Sequence, residues 1–472
     1  MHTSAPGRVL TTADAVFIIV GIVIGAGIFK APSLVAANTA SDWAMLAVWL
    51  AGGALALVGA LCYAELSSTY PDTGGDYHFL QRAFGPHPAF LFAWARLAVM
   101  QTGSIALLAY VFGDYAAQLL PGGDNAAAIY AALAVLIFTL INVRGIRQGT
   151  GTQRAFTAIE IAGVLAIIVL GLALGGDALS GEAVATTAQA PTAAASPGGS
   201  SSLGLALVFV LLTYGGWNEA AYVSSELRSG RTAIVRALFV SIAVIATLYF
   251  FINLAYLAVL GHAGMAASDA VAADMMRAIL GEPGAQVVSV LVAVSALTSI
   301  NATIITGARC NHALGRDFPA LGFLSYWNSA RGSPAAGLIV QGAVALLLVA
   351  LGAAGRSGFA TLVEYTAPVF WLFFLATGLA LLRLRRIDPH AERPFRVPLY
   401  PWIPLLFCAS SAYMLWSSLS YTGFGALVGV AVLAAGVPIL WFVSRRQSLQ
   451  RGPAHERSEA SARLAGGHRA LD

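Results

Sequence analysis

The stretch VGIVIGAGIFKAPSLVA, Val20 to Ala36, decides how this chain is read. It is apolar enough to cross a bilayer, yet Gly25 and Gly27 stand where a spanning helix should be most regular, and Pro32 follows within two turns. Glycine costs a helix interior about 1 kcal/mol and proline about 3. A bilayer holds no water to take up the backbone groups that a break sets free, so they must find partners in the protein or in what it holds. A break at this depth therefore predicts a site.

The surrounding sequence supports a membrane setting. Of 472 residues, 58% are hydrophobic and 10% charged, and the mean hydropathy is +0.77. Apolar runs lie near residues 14–37, 43–67, 88–120, 126–143, 156–176, 203–224, 236–260, 284–311, 334–352, 358–383, 400–418 and 423–443. By the usual length of roughly 20 residues per span they predict an all-α integral membrane protein of about twelve transmembrane helices. The domain expected is one, 14–443, between an N-terminal tail, 1–13, and a basic C-terminal tail, 444–472. The first run has no small-residue cleavage site behind it and reads as a span, not a removable signal. Gly176 to Ser202 is low in complexity and reads as a flexible external loop. Cys62, Cys310 and Cys408 show no CxxC spacing and are given no disulfide or metal role.

Arginine sets the orientation. Alternate connections carry Arg144, Arg147 and Arg154, then Arg228, Arg231 and Arg236, then Arg309, Arg316 and Arg331, then Arg383 to Arg396, while the other set holds only Arg277 and Arg356. Basic residues gather in cytoplasmic loops, which places both termini in the cytoplasm. The net charge of +4 follows from this topology and is not a sign of nucleic-acid binding.

A second break comes five spans later, in LLTYGGWNEAAYVSSELRSG, Leu211 to Gly230, where Gly215 and Gly216 interrupt an apolar run and Asn218 and Glu219 follow at membrane depth. Glycines in single spans commonly serve close helix packing. Two interrupted spans at matching places in two halves of a chain point instead to a carrier of inverted repeats with its site at the midplane. An opened helix offers free N–H groups at the start of its outer piece and free C=O groups at the end of its inner piece. One molecule carrying a carboxylate and an ammonium group satisfies both.

GAGIF at Gly25 to Phe29, CYAELSSTYPDTGGDYHFL at Cys62 to Leu80 and YGGWNEAAYVSSEL at Tyr214 to Leu227 resemble the amino acid permeases of the amino acid-polyamine-organocation superfamily, nearest to the L-type amino acid transporter branch. The likeness continues through NVRGIRQGTGTQRAFTA at Asn142 to Ala158, GAR and GRDFP after span 8, and ERPFRVPLYP before span 11. It implies a LeuT-type fold: ten core helices in a 5+5 inverted repeat, with helices 1 and 6 broken, plus two peripheral helices. It also implies that the amides of Gly25, Ala26 and Gly27 meet a substrate carboxylate. Carbonyls at Val23 and Ile24, and at Leu212, Thr213 and Gly215, would meet its amino group, and the Asn218 side chain would order the unwound segment.

Departures from the family's pattern bear on this chain in particular. Leu212 stands where the L-type branch often has an aromatic gate. Glu219 replaces an aromatic or neutral residue; it either lines the cavity or turns toward a neighbour such as Arg96, since intramembrane charges are costly and usually paired. Glu160 takes the place of a lysine found in several sodium-independent relatives. It reads as about one turn into span 5, either a buried carboxyl that exchanges a proton or a helix-start charge open to the cytoplasmic vestibule. Lys30, Glu65 and Glu226 read as interfacial or ion-paired groups. Ser295, Thr298, Ser299 and Asn301 lie near the ion site of sodium-coupled relatives but are also ordinary interhelical donors, and no metal is assigned. Eukaryotic members bind a single-pass partner through a cysteine after span 3. The loop here, PGGDNAAA, has none, so no covalently linked heavy chain is expected, and a bacterial plasma membrane is the expected location.

The expected function is secondary active transport of amino acids, neutral L-amino acids first, by alternating access and without a cofactor, with proton coupling through Glu160 one reading and a bound sodium ion another. An exchanger of amino acids or polyamines is the alternative, and an amino acid sensor a more distant one. No histidine lies in an HExxH pattern and no GxSxG is present, so nothing points to an enzyme.

Overall fold

The computed structural model describes residues 8–467 apart from Ala26, Pro121, Asp124, 179–202, Asp269, 329–331 and 354–357. The expected site residue Ala26, most of the loop expected at 176–202, and the ends of both tails thus lie outside the described residues.

Thr11 starts the first helix with a capping box: its hydroxyl accepts the Asp14 N–H while the Asp14 carboxylate accepts the Thr11 N–H. This helix, α1 (Thr12–Val23), stops at Ile24, and α2 (Gly27–Ala37) resumes at 46° to it. There follow α3 (Asp42–Thr69), the short α4 (Asp76–Phe84), and α5 (Pro86–Ala95), which passes through a π-helical turn at Arg96–Met100 into α6 (Gln101–Leu119). The first half ends with α7 (Ala126–Arg144) and α8 (Ile146–Ala178). The second half opens with α9 (Leu203–Thr213) and a 3₁₀ helix, Trp217–Glu226, separated by the second break. Then come α10 (Ala233–Ala267), α11 (Val271–Leu280), α12 (Glu282–Asp317), a 3₁₀ turn at Pro319–Ser325, α13 (Ala335–Ala353), α14 (Gly358–Ile387) and α15 (Trp402–Gly467).

Among the described residues nine helices are long and apolar enough to cross a membrane, or ten with the bent pair taken as one. The sixth expected span is outside that count because its two pieces are short. Spans 11 and 12 fall within the single helical run α15, whose apolar segments are Trp402–Ser420 and Gly429–Arg445. The architecture is all-helical and membrane-spanning, with no strand among the described residues beyond two isolated bridges.

Packing brings the breaks together. α1 lies against the 3₁₀ helix, and α2 against α9, so spans 1 and 6 run antiparallel with their interruptions side by side. α12 is the most buried of the spanning helices and touches α1, α6, α7, α8, α11 and α13. It is the post against which the broken helices rest.

Candidate functional site

At the first break the chain leaves helical geometry at Ile24, with φ −74° and ψ 70°. The carbonyls set free there are met by side chains from other spans. Ser299 Oγ on α12 donates to Gly21 O at 2.9 Å, and Ser295 Oγ lies 2.9 Å from Ile24 O. Val23 O accepts from the Tyr249 hydroxyl of α10 at 2.6 Å and from the Gly25 N–H at 2.8 Å. Gly27 opens α2, so its N–H belongs to the group that a helix start leaves without an intrahelical acceptor. Of the amides expected to face a carboxylate, Gly25 is thus bonded within the break, Gly27 stands at the start of α2, and Ala26 lies outside the described residues.

The second break is built around Gly216, whose φ of +112° falls in the left-handed region that glycine adopts without steric penalty. A Cβ there would also stand 2.5 Å from Ile22 Cγ2, so the turn lies directly on span 1. The Gly215 N–H donates to Leu212 O at 3.1 Å. Thr213 O receives the same Tyr249 hydroxyl at 3.2 Å, so one phenol spans the two breaks. The Thr213 side chain faces Gly27, where a Cβ would sit 3.1 Å from Thr213 Cγ2. Asn218 is buried, whereas Leu212 is 39% exposed, the most open of the expected site residues on this span.

Tyr249 was not anticipated from sequence, because a tyrosine within LYFFINLAYL reads as core. Its ring packs edge-on to Trp49 and Tyr214, at 5.6 and 4.9 Å between centroids, which aims the hydroxyl at the breaks.

Glu160 departs from the expected depth. α8 begins at Ile146, so Glu160 is about four turns into the helix rather than one. It is fully buried, which removes the reading of an open vestibule charge. The helix extends back through a polar, glycine-containing stretch because its polar side chains are satisfied inside the bundle. Gln153 donates to Thr157 Oγ1 at 3.1 Å and accepts from Asn301 at 2.9 Å, Asn301 accepts from Asn142 at 2.8 Å, and Thr157 donates to Phe17 O at 3.1 Å. Glu160 Oε1 is hydrogen-bonded to the Ser295 hydroxyl, while Oε2 has no hydrogen-bond partner among the described residues. The carboxyl is therefore one side chain removed from the Ile24 carbonyl.

Glu219 turns to Arg96: Nη2 donates to Oε2 at 2.6 Å, with both side chains buried. Other acids pair toward the arginine-rich end of the bundle. Glu226 holds Arg309 in a bidentate pair, Glu65 holds Arg385, and Asp14 holds Arg154. Among the described residues no group of three or more His, Cys, Asp or Glu side chains could hold a metal ion.

Comparison with known proteins agrees with this geometry. A family model described as amino acid permease matches residues 10–444. The chain is 34% identical to the b(0,+)-type amino acid transporter 1 of Mus musculus over 422 residues, covering 88% of this chain and 83% of that protein. Against the human protein of the same name, identity is 32% over 419 residues, covering 87% and 82%. It is 32% identical to the human large neutral amino acids transporter small subunit 2 over 428 residues, covering 89% and 78%. Matched over nearly its whole length, the chain belongs to the amino acid permease family, in the L-type branch that its motifs resemble.

Proposed function

We propose that this protein is a secondary carrier of amino acids, neutral L-amino acids first, working by alternating access in a bacterial plasma membrane with both termini cytoplasmic. The observation that carries the reading is the Tyr249 hydroxyl, which touches Val23 O in one broken span and Thr213 O in the other. Around it lie helix ends of both polarities, the N-terminus of α2 and the C-terminal carbonyls of α1 and α9, the latter held by neutral hydroxyls that an ammonium group can displace. These suit a zwitterion, with its carboxylate toward Gly27 and its ammonium toward Val23, Ile24, Leu212, Thr213 and Gly215. The relatives' names, which specify amino acid transport, support the same class of substrate. Cys62, Cys310 and Cys408 are all buried, which supports a carrier that works without a disulfide-linked partner.

Proton coupling is assigned to Glu160 through Ser295. A serine hydroxyl has one proton, and here it lies against two oxygens, Ile24 O and Glu160 Oε1. When Glu160 is protonated it donates to Ser295, and Ser295 donates to Ile24 O. When Glu160 is ionised it draws the serine proton to itself and releases the Ile24 carbonyl. A carbonyl has a second lone pair, so the protonated state is the one in which Ser295 fixes the Ile24 carbonyl while leaving it able to accept from an ammonium group. Loss of the proton loosens that acceptor where substrate is released.

The test is uptake into proteoliposomes over a panel of radiolabelled L-amino acids and polyamines. An inward proton gradient without sodium should drive accumulation of at least one neutral L-amino acid. Glu160→Gln should lose accumulation yet keep exchange of internal for external substrate, because glutamine imitates the protonated carboxyl and releases no proton. Accumulation by the glutamine variant under the same gradient would remove Glu160 from coupling. Failure of the unaltered protein to move any amino acid would reject the carrier reading itself.

A further inference from the structure

One step toward the arginine-rich end from the break, spans 2, 3, 6 and 10 meet at a sealed polar cluster that no substrate contact requires. Arg96 sits at the start of the π-helical turn, where Gln101 N–H reaches back to Arg96 O across five residues. Such turns recur at functional places in helices. The Arg96 guanidinium is 1% exposed; Nη2 donates to Glu219, and Cζ stands 3.8 Å from the centre of the Tyr222 ring. Glu219 and Tyr222 are one turn apart on the 3₁₀ helix, immediately after Asn218. On its other side Tyr222 donates its hydroxyl to Asp76 Oδ2 at 2.7 Å. Asp76 is 2% exposed and accepts also from Tyr63 of α3 and, at 3.0 Å, from Thr377 of α14. Three hydroxyls directed at one carboxylate fill most of its acceptor positions and fix its orientation.

A 3₁₀ helix of ten residues is longer than such helices usually run and has poor hydrogen-bond geometry of its own. Its shape must be imposed from outside, and this cluster grips it from two directions. We propose that Arg96 and Asp76 are positioning residues for transport: Arg96 through Glu219 and the Tyr222 ring, and Asp76 through the Tyr222 hydroxyl, set the register of Asn218 and the Gly215–Gly216 break against span 1. This rests on the carrier reading for its consequence, though not for its geometry. Substrate affinity then depends on a charge pair that substrate never touches.

The experiment compares the unaltered full-length protein with Glu219→Gln, Arg96→Lys and Tyr222→Phe. The last two are mild: lysine keeps the charge without the fork, and phenylalanine keeps the ring without the hydroxyl. Hydrogen exchange followed by mass spectrometry needs no substrate. Amides in residues 214–226 should exchange at least about tenfold faster in each variant, while those in residues 282–317 stay as they were. In proteoliposomes, using the radiolabelled amino acid that the unaltered protein accumulates best, KM should rise about tenfold for Glu219→Gln and severalfold for the milder pair, with maximal rate within about threefold. Unchanged exchange in residues 214–226 of folded Arg96→Lys and Tyr222→Phe overturns the proposal. Faster exchange across the whole bundle with KM unmoved overturns it as well, since that marks a general structural role. If the unaltered protein accumulates no amino acid, the carrier reading fails while the exchange result still decides the positioning role.

Discussion

Tyr249→Phe tests the meeting of the two breaks most directly. The ring stays, and with it the edge-on contacts to Trp49 and Tyr214, so the packing of α10 against α3 and the second break is preserved. What goes is one hydroxyl. Val23 O keeps the Gly25 N–H at 2.8 Å and is not orphaned. Thr213 O stands at the end of α9 and loses the hydroxyl that reaches it at 3.2 Å. The change therefore costs about one buried unsatisfied carbonyl, roughly 1–3 kcal/mol. A cost of 1–2 kcal/mol, the lower part of that range, is a factor of about 5–30 in an equilibrium. It falls only on the state in which the hydroxyl bridges both spans. If substrate binds that state, the dissociation constant of the accumulated amino acid should rise by the same factor, measured by equilibrium binding to purified protein. The melting temperature should fall by only a few degrees, because one hydrogen bond is a small share of a bundle this size. A folded Tyr249→Phe protein whose affinity is within twofold of the original would refute the idea that the bridge belongs to the bound state.

Other outcomes follow from the same geometry. Gly27→Val should abolish uptake without loss of folded protein, since even a Cβ there stands 3.1 Å from Thr213 Cγ2 and a branched one closes the gap to α9; near-normal uptake would remove Gly27 from the site. Leu212→Phe should fold and shift the preferred side-chain size in a competition series of neutral amino acids, and an unchanged series would place Leu212 outside the cavity. Arg154→Gln leaves the buried Asp14 with its Thr11 hydrogen bonds alone and should weaken the seam between α1 and α8 by about 1–3 kcal/mol, seen as faster amide exchange in residues 8–23 with uptake retained. Glu226→Gln leaves Arg309 buried without its charge partner and should cost about 3–5 kcal/mol, seen as poor recovery of folded protein. Equal losses from the two would refute that ranking.

The parts of this molecule legible in its sequence are those where a residue type contradicts its setting. Glycine pairs in the middle of apolar runs, and Asn218 and Glu219 at membrane depth, marked both breaks before any coordinates. The depth of Glu160 was not legible, because the stretch from Ile146 to Thr157 is polar and looks like a connection. It is helical, with Gln153 and Thr157 turned inward, because Asn142, Gln153, Thr157 and Asn301 satisfy one another across three helices, and such partnerships have no local signature. Asp76 was overlooked for a similar reason: it follows two glycines in what reads as a loop, and only the fold brings Tyr63, Tyr222 and Thr377 to it. Glu219 stood between two readings because sequence cannot say which way a side chain turns. The separation of spans 11 and 12, expected from hydropathy, is not matched by a break in the helical run from Trp402 to Gly467.

The bonds of the structure fall into two strengths, and alternating access needs both. Within the breaks, carbonyls of α1 and α9 are held by Tyr249, Ser295 and Ser299, each a single neutral hydroxyl worth about 0.5–1.5 kcal/mol net. Partners of that kind can be exchanged for the ammonium group of a substrate at small cost in either direction. At the arginine-rich end the contacts are ionic, and their exposure separates them. Arg309 and Glu226 are 2% and 0% exposed at their side chains, so parting them would strand two buried charges at about 3–5 kcal/mol. They must travel together, carrying the end of the 3₁₀ helix with α12. Leu10, whose N–H reaches Glu226 O at 3.0 Å and whose carbonyl receives the Arg228 N–H at 2.9 Å, goes with them. The Arg154 side chain is 51% exposed and the Asp14 side chain 5%, so water can replace Asp14 on the guanidinium while Asp14 keeps the N–H and hydroxyl of Thr11. A cavity of about 270 Å³ already lies beside that pair, lined by Thr11, Asp14, Gly151, Arg154 and Arg228 among others. The line of least resistance toward the arginine-rich end is therefore the seam between α1 and α8. Along this same seam Glu160, reached from α8, and Ile24, at the end of α1, face one another through Ser295, so the motion that opens the seam is also the one that pulls the Glu160 carboxyl away from the break.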